Sequence, residues 1–163
     1  MDKQALVEQL TARLRDTALV ARRASLAADE EARRGATASE KRENARVSQE
    51  YSSLARGQNA RATRSIAELQ ALETFRPPAR LPSKGPVVLG AIVEVEDGSQ
   101  GRTFFLAPGG AGIELTGPDG DGFLSVVTPA SPVGRSVLGR RVGDTIEVTI
   151  EGEPREWTIT FVE

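Results

Sequence analysis

The first 34 residues contain neither proline nor glycine, and their apolar side chains recur at alternating spacings of three and four. This pattern predicts one long helix over residues 2–34 with a coiled-coil seam along one face. Gly35 follows Arg33 and Arg34, a usual arrangement at a helix C-terminus. A seam of this kind needs a partner helix to cover it. The predicted seam consists of Val7, Leu10, Leu14, Thr17, Ala21, Ala24 and Ala28.

The partner is expected to follow at once in the chain. Thr37-Ala38-Ser39-Glu40 has the form of a capping box, which predicts a second helix from there to about Phe75. Gly57 lies inside this helix and lowers its stability by roughly 1 kcal/mol relative to alanine. Because only a few residues connect the two helices, we expect them to be antiparallel neighbours.

The pattern changes after the prolines at 77, 78 and 82, which end the second helix and stiffen a linker. Short β-rich runs predict strands over 87–95, 102–107, 113–116, 123–128, 145–150 and 156–162, with a helical turn over 131–138. The sequence therefore predicts an α+β protein with an antiparallel helical hairpin (1–76), a linker (77–86) and a small antiparallel β domain (87–163). We expect much of the core of that domain to come from Trp157, Phe104, Phe105, Phe123 and Phe161.

The composition excludes several kinds of site. The chain has no cysteine and no histidine, which excludes disulfides, thiolate catalysis, cysteine zinc sites and the commonest general base. Its N-terminus does not look like a signal peptide, and no apolar run approaches the ~20 residues that span a bilayer. We therefore expect a cytoplasmic protein without a membrane partner.

The two halves of the chain differ in charge. Residues 1–80 carry 15 basic and 11 acidic side chains, for +4, whereas residues 81–163 carry 6 and 12, for −6. A solvated helical surface accounts for the basic half, and contact of that half with nucleic acid is the alternative.

The stretch from Ser131 to Val148 carries a more specific pattern. Pro132 suits the first position of a helical turn, Gly139 the residue past its end, and Gly143-Asp144 a tight turn before a strand. The stretch resembles the C-terminal domain of the Gre family of bacterial transcription elongation factors, and the helical hairpin ahead of it strengthens the resemblance. The resemblance implies a C-terminal domain of the FK506-binding-protein type, and a monomer that binds RNA polymerase and inserts its hairpin into the secondary channel.

The resemblance extends to the turn of the hairpin. Glu40-Lys41-Arg42-Glu43-Asn44-Ala45 is similar to the family pattern of an aspartate, two residues and Glu-Asn-Ala, with Glu40 in place of the aspartate. In Gre factors these acids help to hold a second Mg²⁺ in the polymerase active centre, which then cleaves the RNA of a backtracked complex. The resemblance therefore implies that Glu40 and Glu43 are ligands of an Mg²⁺ shared with the polymerase. It also implies a cofactor of the polymerase's endonucleolytic activity, not an enzyme with catalytic residues of its own.

Physical chemistry permits this role. Residues at i and i+3 share one helix face, and the first helical turn favours ionised carboxylates. Magnesium prefers a few carboxylates, with water and phosphate completing an octahedron. Without the resemblance, the same residues are explained by Glu40 as a helix-capping residue and Glu43 as a solvated side chain. The chain also departs from the family, because Arg46-Val47 stands where many members have a tyrosine.

Two further sets of residues are implied to make contacts. By resemblance, the polymerase-binding surface consists of Ser131, Pro132, Val133, Arg135 and Leu138, although Val133 and Leu138 also suit a role in covering the sheet. Contact with backtracked RNA/DNA or with the channel wall is expected from Arg42, Arg46 and Arg56, which are otherwise solvated.

Three functions remain open at this point. The first is stimulation of transcript cleavage by RNA polymerase. The second is regulation by channel occupancy without cleavage. The third, from a different class, is a coiled-coil adaptor for some other protein.

Overall fold

The computed structural model describes residues 2–34, 45–82, 85–98, 100–117, 120, 122–150 and 152–163. In these ranges two long helices, α1 (Lys3–Arg34) and α2 (Ala45–Thr74), precede six strands and one short helix. This order confirms the predicted α+β fold class. The chain forms two compact units, Met1–Thr11 with Ala71–Glu163, and Ala12–Gln70. The predicted division into a hairpin (1–76), a linker (77–86) and a β domain (87–163) stays a prediction. Among the described helices, none has the length and hydropathy of a transmembrane segment.

Within the unit formed by Ala12–Gln70, α1 and α2 run in opposite directions. Arg34 lines a surface cleft together with Tyr51, whereas Thr17 lines another together with Ser65. Residues late in α1 therefore lie beside residues early in α2, as the short connection predicts. Most buried side chains described in this unit are small. They are Leu14, Ala18, Ala21, Ser25, Ala55 and Ala62, of which only Leu14 is large.

The predicted seam of α1 was wrong at Thr17 and Ala24. Thr17 is exposed, and its hydroxyl donates to the carbonyl of Arg13 at 3.0 Å. Ala18 and Ser25 are buried instead, and Ala24 is only half-buried. The predicted seam and the observed buried face share Val7, Leu14 and Ala21, which are seven residues apart. They differ by one position in the residues between these three. Small side chains occupy both alternatives, so hydrophobic periodicity did not discriminate between them.

The second half of the chain folds into a six-stranded sheet with the order β3-β4-β2-β1-β6-β5. Most neighbours are antiparallel as predicted, but β2 and β4 pair in parallel, with Phe105 opposite Val126. The elements are β1 (Ile92–Glu96), β2 (Gly101–Leu106), β3 (Glu114–Thr116), β4 (Phe123–Val127), α3 (Pro132–Val137), β5 (Thr145–Ile150) and β6 (Glu153–Val162).

The strand predicted to begin at residue 87 begins only at Ile92. A turn at Leu89-Gly90 interrupts the run, and Gly90 has φ of 90°. A Cβ at Gly90 would lie 2.7 Å from Cδ of Pro78, so the linker proline packs closely against this turn. The apolar side chain of Val87 is nevertheless buried, which explains why the sequence resembles a longer strand.

The main core lies on one face of the sheet around Trp157, whose ring stacks on Phe104 with centroids 5.8 Å apart. Phe105 is also buried, but the prediction was wrong for Phe123 and Phe161, which are 76% and 39% exposed. The pairing of β1 with β6 shifts register between Glu94 and Val95. This bulge turns Phe161 away from the face that Trp157 occupies, because an extra residue inverts the alternation of side chains.

The first turns of α1 belong to the same compact unit as the sheet. Asp2 caps the helix, since its Oδ1 accepts from the backbone N–H of Gln4 and Ala5 at 3.0 and 3.2 Å. Lys3 is buried, and its Nζ donates to the carbonyl of Pro78 at 3.1 Å. Burial lowers the pKa of Lys3, and the negative charge of Glu163 partly opposes this shift.

Gln9 covers the outer edge of the sheet at β3. Its Oε1 accepts from the backbone N–H of Thr116 at 2.9 Å, and its Nε2 donates to the carbonyl of Thr116 at 3.4 Å. One amide side chain thus pairs with both the N–H and the carbonyl of Thr116, which the edge strand β3 would otherwise leave without a strand partner. Leu10 packs nearby, since a Cβ added to Gly110 would lie 2.7 Å from its Cδ1.

Candidate functional site

The predicted polymerase-binding residues form the short helix α3 and its two ends. Ser131 is the N-cap, with extended backbone (φ −72°, ψ 155°), and Pro132 takes the first position of the helix. The Ser131 hydroxyl accepts from the Gly134 N–H at 3.1 Å and donates to the Thr128 carbonyl at 2.8 Å. Because both bonds lie within the turn, the Ser131 side chain serves first to build α3.

Gly134 is required by a close approach of the backbone. A Cβ at this position would lie 1.9 Å from the carbonyl oxygen of Thr128, well inside any normal contact distance. The same carbonyl accepts hydrogen bonds from both the N–H and the hydroxyl of Ser131. The turn that carries the candidate surface is therefore tightly packed on its inner side.

The inner side of α3 and its C-terminal end tie the helix to the core. Val137 is completely buried in the main cluster, and Val133 packs partly against it. After the helix, the Gly139 N–H donates to the Val87 carbonyl at 2.8 Å, and the Val87 N–H donates to the Arg140 carbonyl at 2.7 Å. These contacts fix the inner side and the C-terminal end of α3, as the Ser131 cap fixes its start, so its outer side chains project from a fixed backbone.

The outer side of α3 combines apolar and basic groups. Pro132 and Arg135 are exposed, and Leu138 is 43% exposed although it is a large apolar side chain. The sequence interpretation missed Val142, which is 46% exposed in the turn that follows. The available signal was an apolar residue in a Gly-Asp turn, a position where burial is not expected. We call Pro132, Arg135, Leu138 and Val142 the α3 surface.

The other predicted contact residues belong to the hairpin. Arg46 is exposed near the start of α2 and forms an exposed ion pair with Glu50 at 4.0 Å. Arg56 is exposed in the middle of the same helix. Arg42, Glu40 and Glu43 lie outside the described residues, so their predicted roles stay predictions.

Metal binding is expected only with help from a partner. Within the described part of the chain, no group of three or more acidic side chains is placed to hold an ion. The two carboxylates of the predicted site suit Mg²⁺ as hard oxygen ligands, but they leave most of an octahedron open for water and phosphate. Such a donor set fits an ion that is shared with another molecule and does not fit a resident one.

Comparison with known families matches residues 82–163 to the model described as transcription elongation factor, GreA/GreB, C-terminal. Comparison with curated protein sequences gives no significant match. Several solved structures are similar at low identity. GreA factor homolog 1 (Gfh1) of Thermus thermophilus is 19% identical, with 94% of each chain covered and a TM-score of 0.38.

Two further structures show the same level of likeness. Gfh1 of Thermus aquaticus is 17% identical, with 93% of this chain and 92% of that chain covered and a TM-score of 0.39. GreA/GreB of Nitrosomonas europaea is 20% identical, with 60% of this chain and 77% of that chain covered and a TM-score of 0.36. The family model spans 82 of the 163 residues, including all six strands, α3 and the α3 surface. By that match, this protein belongs to the GreA/GreB family of transcription elongation factors.

Proposed function

We propose that this protein binds RNA polymerase through the α3 surface and acts through its hairpin in the secondary channel. The observation that carries the proposal is the match of residues 82–163 to the GreA/GreB C-terminal family. The geometry supports it, because Leu138 and Val142 expose apolar area and Arg135 exposes a basic group, while hydrogen bonds fix the N-cap and the C-terminal end of α3. A fixed, mixed apolar and basic surface is suited to docking on a protein partner.

Polymerase binding is tested by reversing one charge on the α3 surface. Arg135→Glu should weaken binding to core polymerase at least tenfold in a direct titration, since reversing a desolvated interface charge typically costs a few kcal/mol. Arg80→Glu is the matched control, because Arg80 is an exposed arginine outside the α3 surface. Equal affinities for wild type and Arg135→Glu, with both folded, would place the interface elsewhere.

For the hairpin, we propose stimulation of transcript cleavage in backtracked complexes. Glu40 and Glu43 would be the ligands that this chain offers to an Mg²⁺ shared with the polymerase active centre. That ion would supply charge stabilisation and water activation for hydrolysis of the RNA phosphodiester. Arg42, Arg46 and Arg56 would then contact the displaced RNA or the channel wall, where arginine pairs well with phosphate.

Cleavage is tested by neutralising the two carboxylates together. Glu40→Gln/Glu43→Gln should abolish stimulated RNA shortening in a stalled complex and leave polymerase affinity unchanged, because the proposed anchor is the α3 surface. Asp16→Asn/Glu50→Gln is the control, since it removes the same charge from hairpin positions outside residues 35–44. Loss of stimulation in both variants would indicate a general charge effect and contradict specific roles for Glu40 and Glu43.

Occupancy without cleavage is the second candidate function. Basic side chains flank the segment that connects the helices, since Arg33 and Arg34 end α1 and Arg46 lies near the start of α2. Positive charge of this kind competes with a cation for nearby carboxylates. If wild type binds the polymerase but stimulates no cleavage at any magnesium concentration, the occupancy function is correct. If it does not bind core polymerase in a pull-down, the adaptor function remains.

A further inference from the structure

A polar network crosses the hairpin where small residues form its interior. The Ser25 hydroxyl donates to Oδ1 of Asn59, and Nδ2 of Asn59 donates to Oδ1 of Asp29 at 3.1 Å. Ser25 is only 9% exposed, and the other two residues are half-buried. Asn59 therefore bonds two residues of α1 that lie one helical turn apart.

The apolar contacts around this network specify the alignment of the helices weakly. Besides Ser25, the buried residues described in the unit Ala12–Gln70 are Leu14 at its start and four alanines, Ala18, Ala21, Ala55 and Ala62. Alanines present almost the same surface after a shift of one helical turn, so such a shift changes little buried area. Larger side chains would resist it, because a displaced knob would no longer fit its hole.

The network, in contrast, tolerates no such shift. Sliding α2 by one turn would bring Ala55, Arg56, Ala62 or Thr63 towards the position of Asn59. Arg56 would offer donors but no acceptor for the Ser25 hydroxyl. Neither alanine offers a donor or an acceptor, and threonine has one hydroxyl where Asn59 uses both its carbonyl and its amide. Ser25 would lose its acceptor in a place where water has little access, and an unsatisfied buried polar group is unfavourable.

We propose that Asn59 is a positioning residue that sets the longitudinal register of α2 against α1. A polar residue at one interior position of a coiled coil can select a single alignment at some loss of stability. The register determines where the ends of α1 and α2 carry the connecting segment, which contains Glu40 and Glu43. The importance of that placement for cleavage rests on the proposed function, but the register itself does not.

The register is measured in the isolated protein by pulsed electron paramagnetic resonance. The chain has no cysteine, so Arg13→Cys/Gln49→Cys places nitroxide labels at two exposed sites only, one on each helix and far apart along the hairpin axis. This pair is combined with Asn59→Leu, which has similar volume and no polar atoms, and separately with Ser25→Ala. Thr63→Ala is the matched control, because it removes an exposed polar group from the same helix.

The wild-type network should give one narrow distance distribution, which Thr63→Ala should leave unchanged. Asn59→Leu should broaden or split it, with a second population displaced along the axis by about 5 Å, the rise of one helical turn. Its helix content should be retained, because the apolar contact that leucine adds offsets the loss of the acceptor of Ser25. A narrow distribution in Asn59→Leu at the wild-type distance overturns the proposal. So does loss of helix in both Asn59→Leu and Ser25→Ala, because the network would then act through stability.

Cleavage assays keep this inference separate from the proposed function. A register change without loss of stimulation would support the inference and contradict strict placement of the acids. An unchanged register in Asn59→Leu would overturn the inference about Asn59. Failure of the wild-type protein to stimulate cleavage would, independently, overturn the proposed cleavage function.

Discussion

The substitution Gly134→Ala tests the packing that builds the α3 surface. A Cβ at this position would lie 1.9 Å from the Thr128 oxygen, whereas ordinary contact begins at 3.4 Å. The carbonyl or the helix must therefore move by about 1.5 Å, the difference between these distances. The Thr128 carbonyl accepts from the N–H and hydroxyl of Ser131, so any such movement also strains the cap.

The expected loss of stability follows from these two effects. Overpacking typically costs about 1–3 kcal/mol, and a disrupted serine cap costs about 1 kcal/mol. The sum is roughly 2–4 kcal/mol, which corresponds to a decrease in melting temperature of about 5–15 °C for a chain of this size. The single Trp157 is buried in the main core, so its fluorescence reports unfolding of this domain.

Gly57→Ala is the matched control for this measurement. Gly57 lies within α2, and a Cβ there would meet nothing within 4 Å. The same chemical change should therefore stabilise the hairpin by about 0.5–1 kcal/mol, because glycine is unfavourable inside a helix. Far-UV circular dichroism follows the hairpin. A melting temperature of Gly134→Ala within 1 °C of wild type would refute the argument from close packing.

Three other outcomes follow from individual contacts. Ser131→Ala should destabilise the domain by about 1 kcal/mol through loss of the cap, measured by urea unfolding, and an unchanged midpoint would contradict the capping role. Gln9→Ala should accelerate hydrogen exchange at the Thr116 amide and cost about 1–2 kcal/mol, whereas unaltered exchange would show that the edge is protected otherwise. For Lys3, the folded-state pKa is lowered, so the native state binds this proton less tightly than the unfolded chain. Stability relative to Lys3→Met should therefore rise with pH between that lowered pKa and the ordinary 10.5, and a flat difference across alkaline pH would contradict burial of the charge.

Much of the candidate site was accessible from local sequence rules. Proline at the first helical position and glycine after the last one located α3 within a residue of Pro132–Val137. Exposure of Arg135 followed from its charge. The exposure of Val142 was missed although its place beside the Gly-Asp turn was an available signal, because an apolar residue type by itself favours burial.

The hairpin shows the limit of periodicity. The bounds of α1 and the end of α2 followed from the absence of proline and glycine and from the prolines at 77 and 78. The positions of the seam did not follow from the sequence, because two heptad patterns through Val7, Leu14 and Ala21 fit the sequence almost equally well. The choice between Thr17 and Ala18 as the interior residue was made by the facing helix, through contacts 30 or more positions away, such as that between Ser25 and Asn59.

By itself the sequence determined the element types, their order and the α+β class, since these depend on short-range propensities, capping and turn residues. Only the tertiary structure decided the parallel pairing of β2 with β4 and the outward position of Phe161. Strand pairing joins segments far apart in the chain, and local sequence does not encode which edges meet. One extra residue in β6 reverses the face of every later side chain, and that residue is extra only relative to β1.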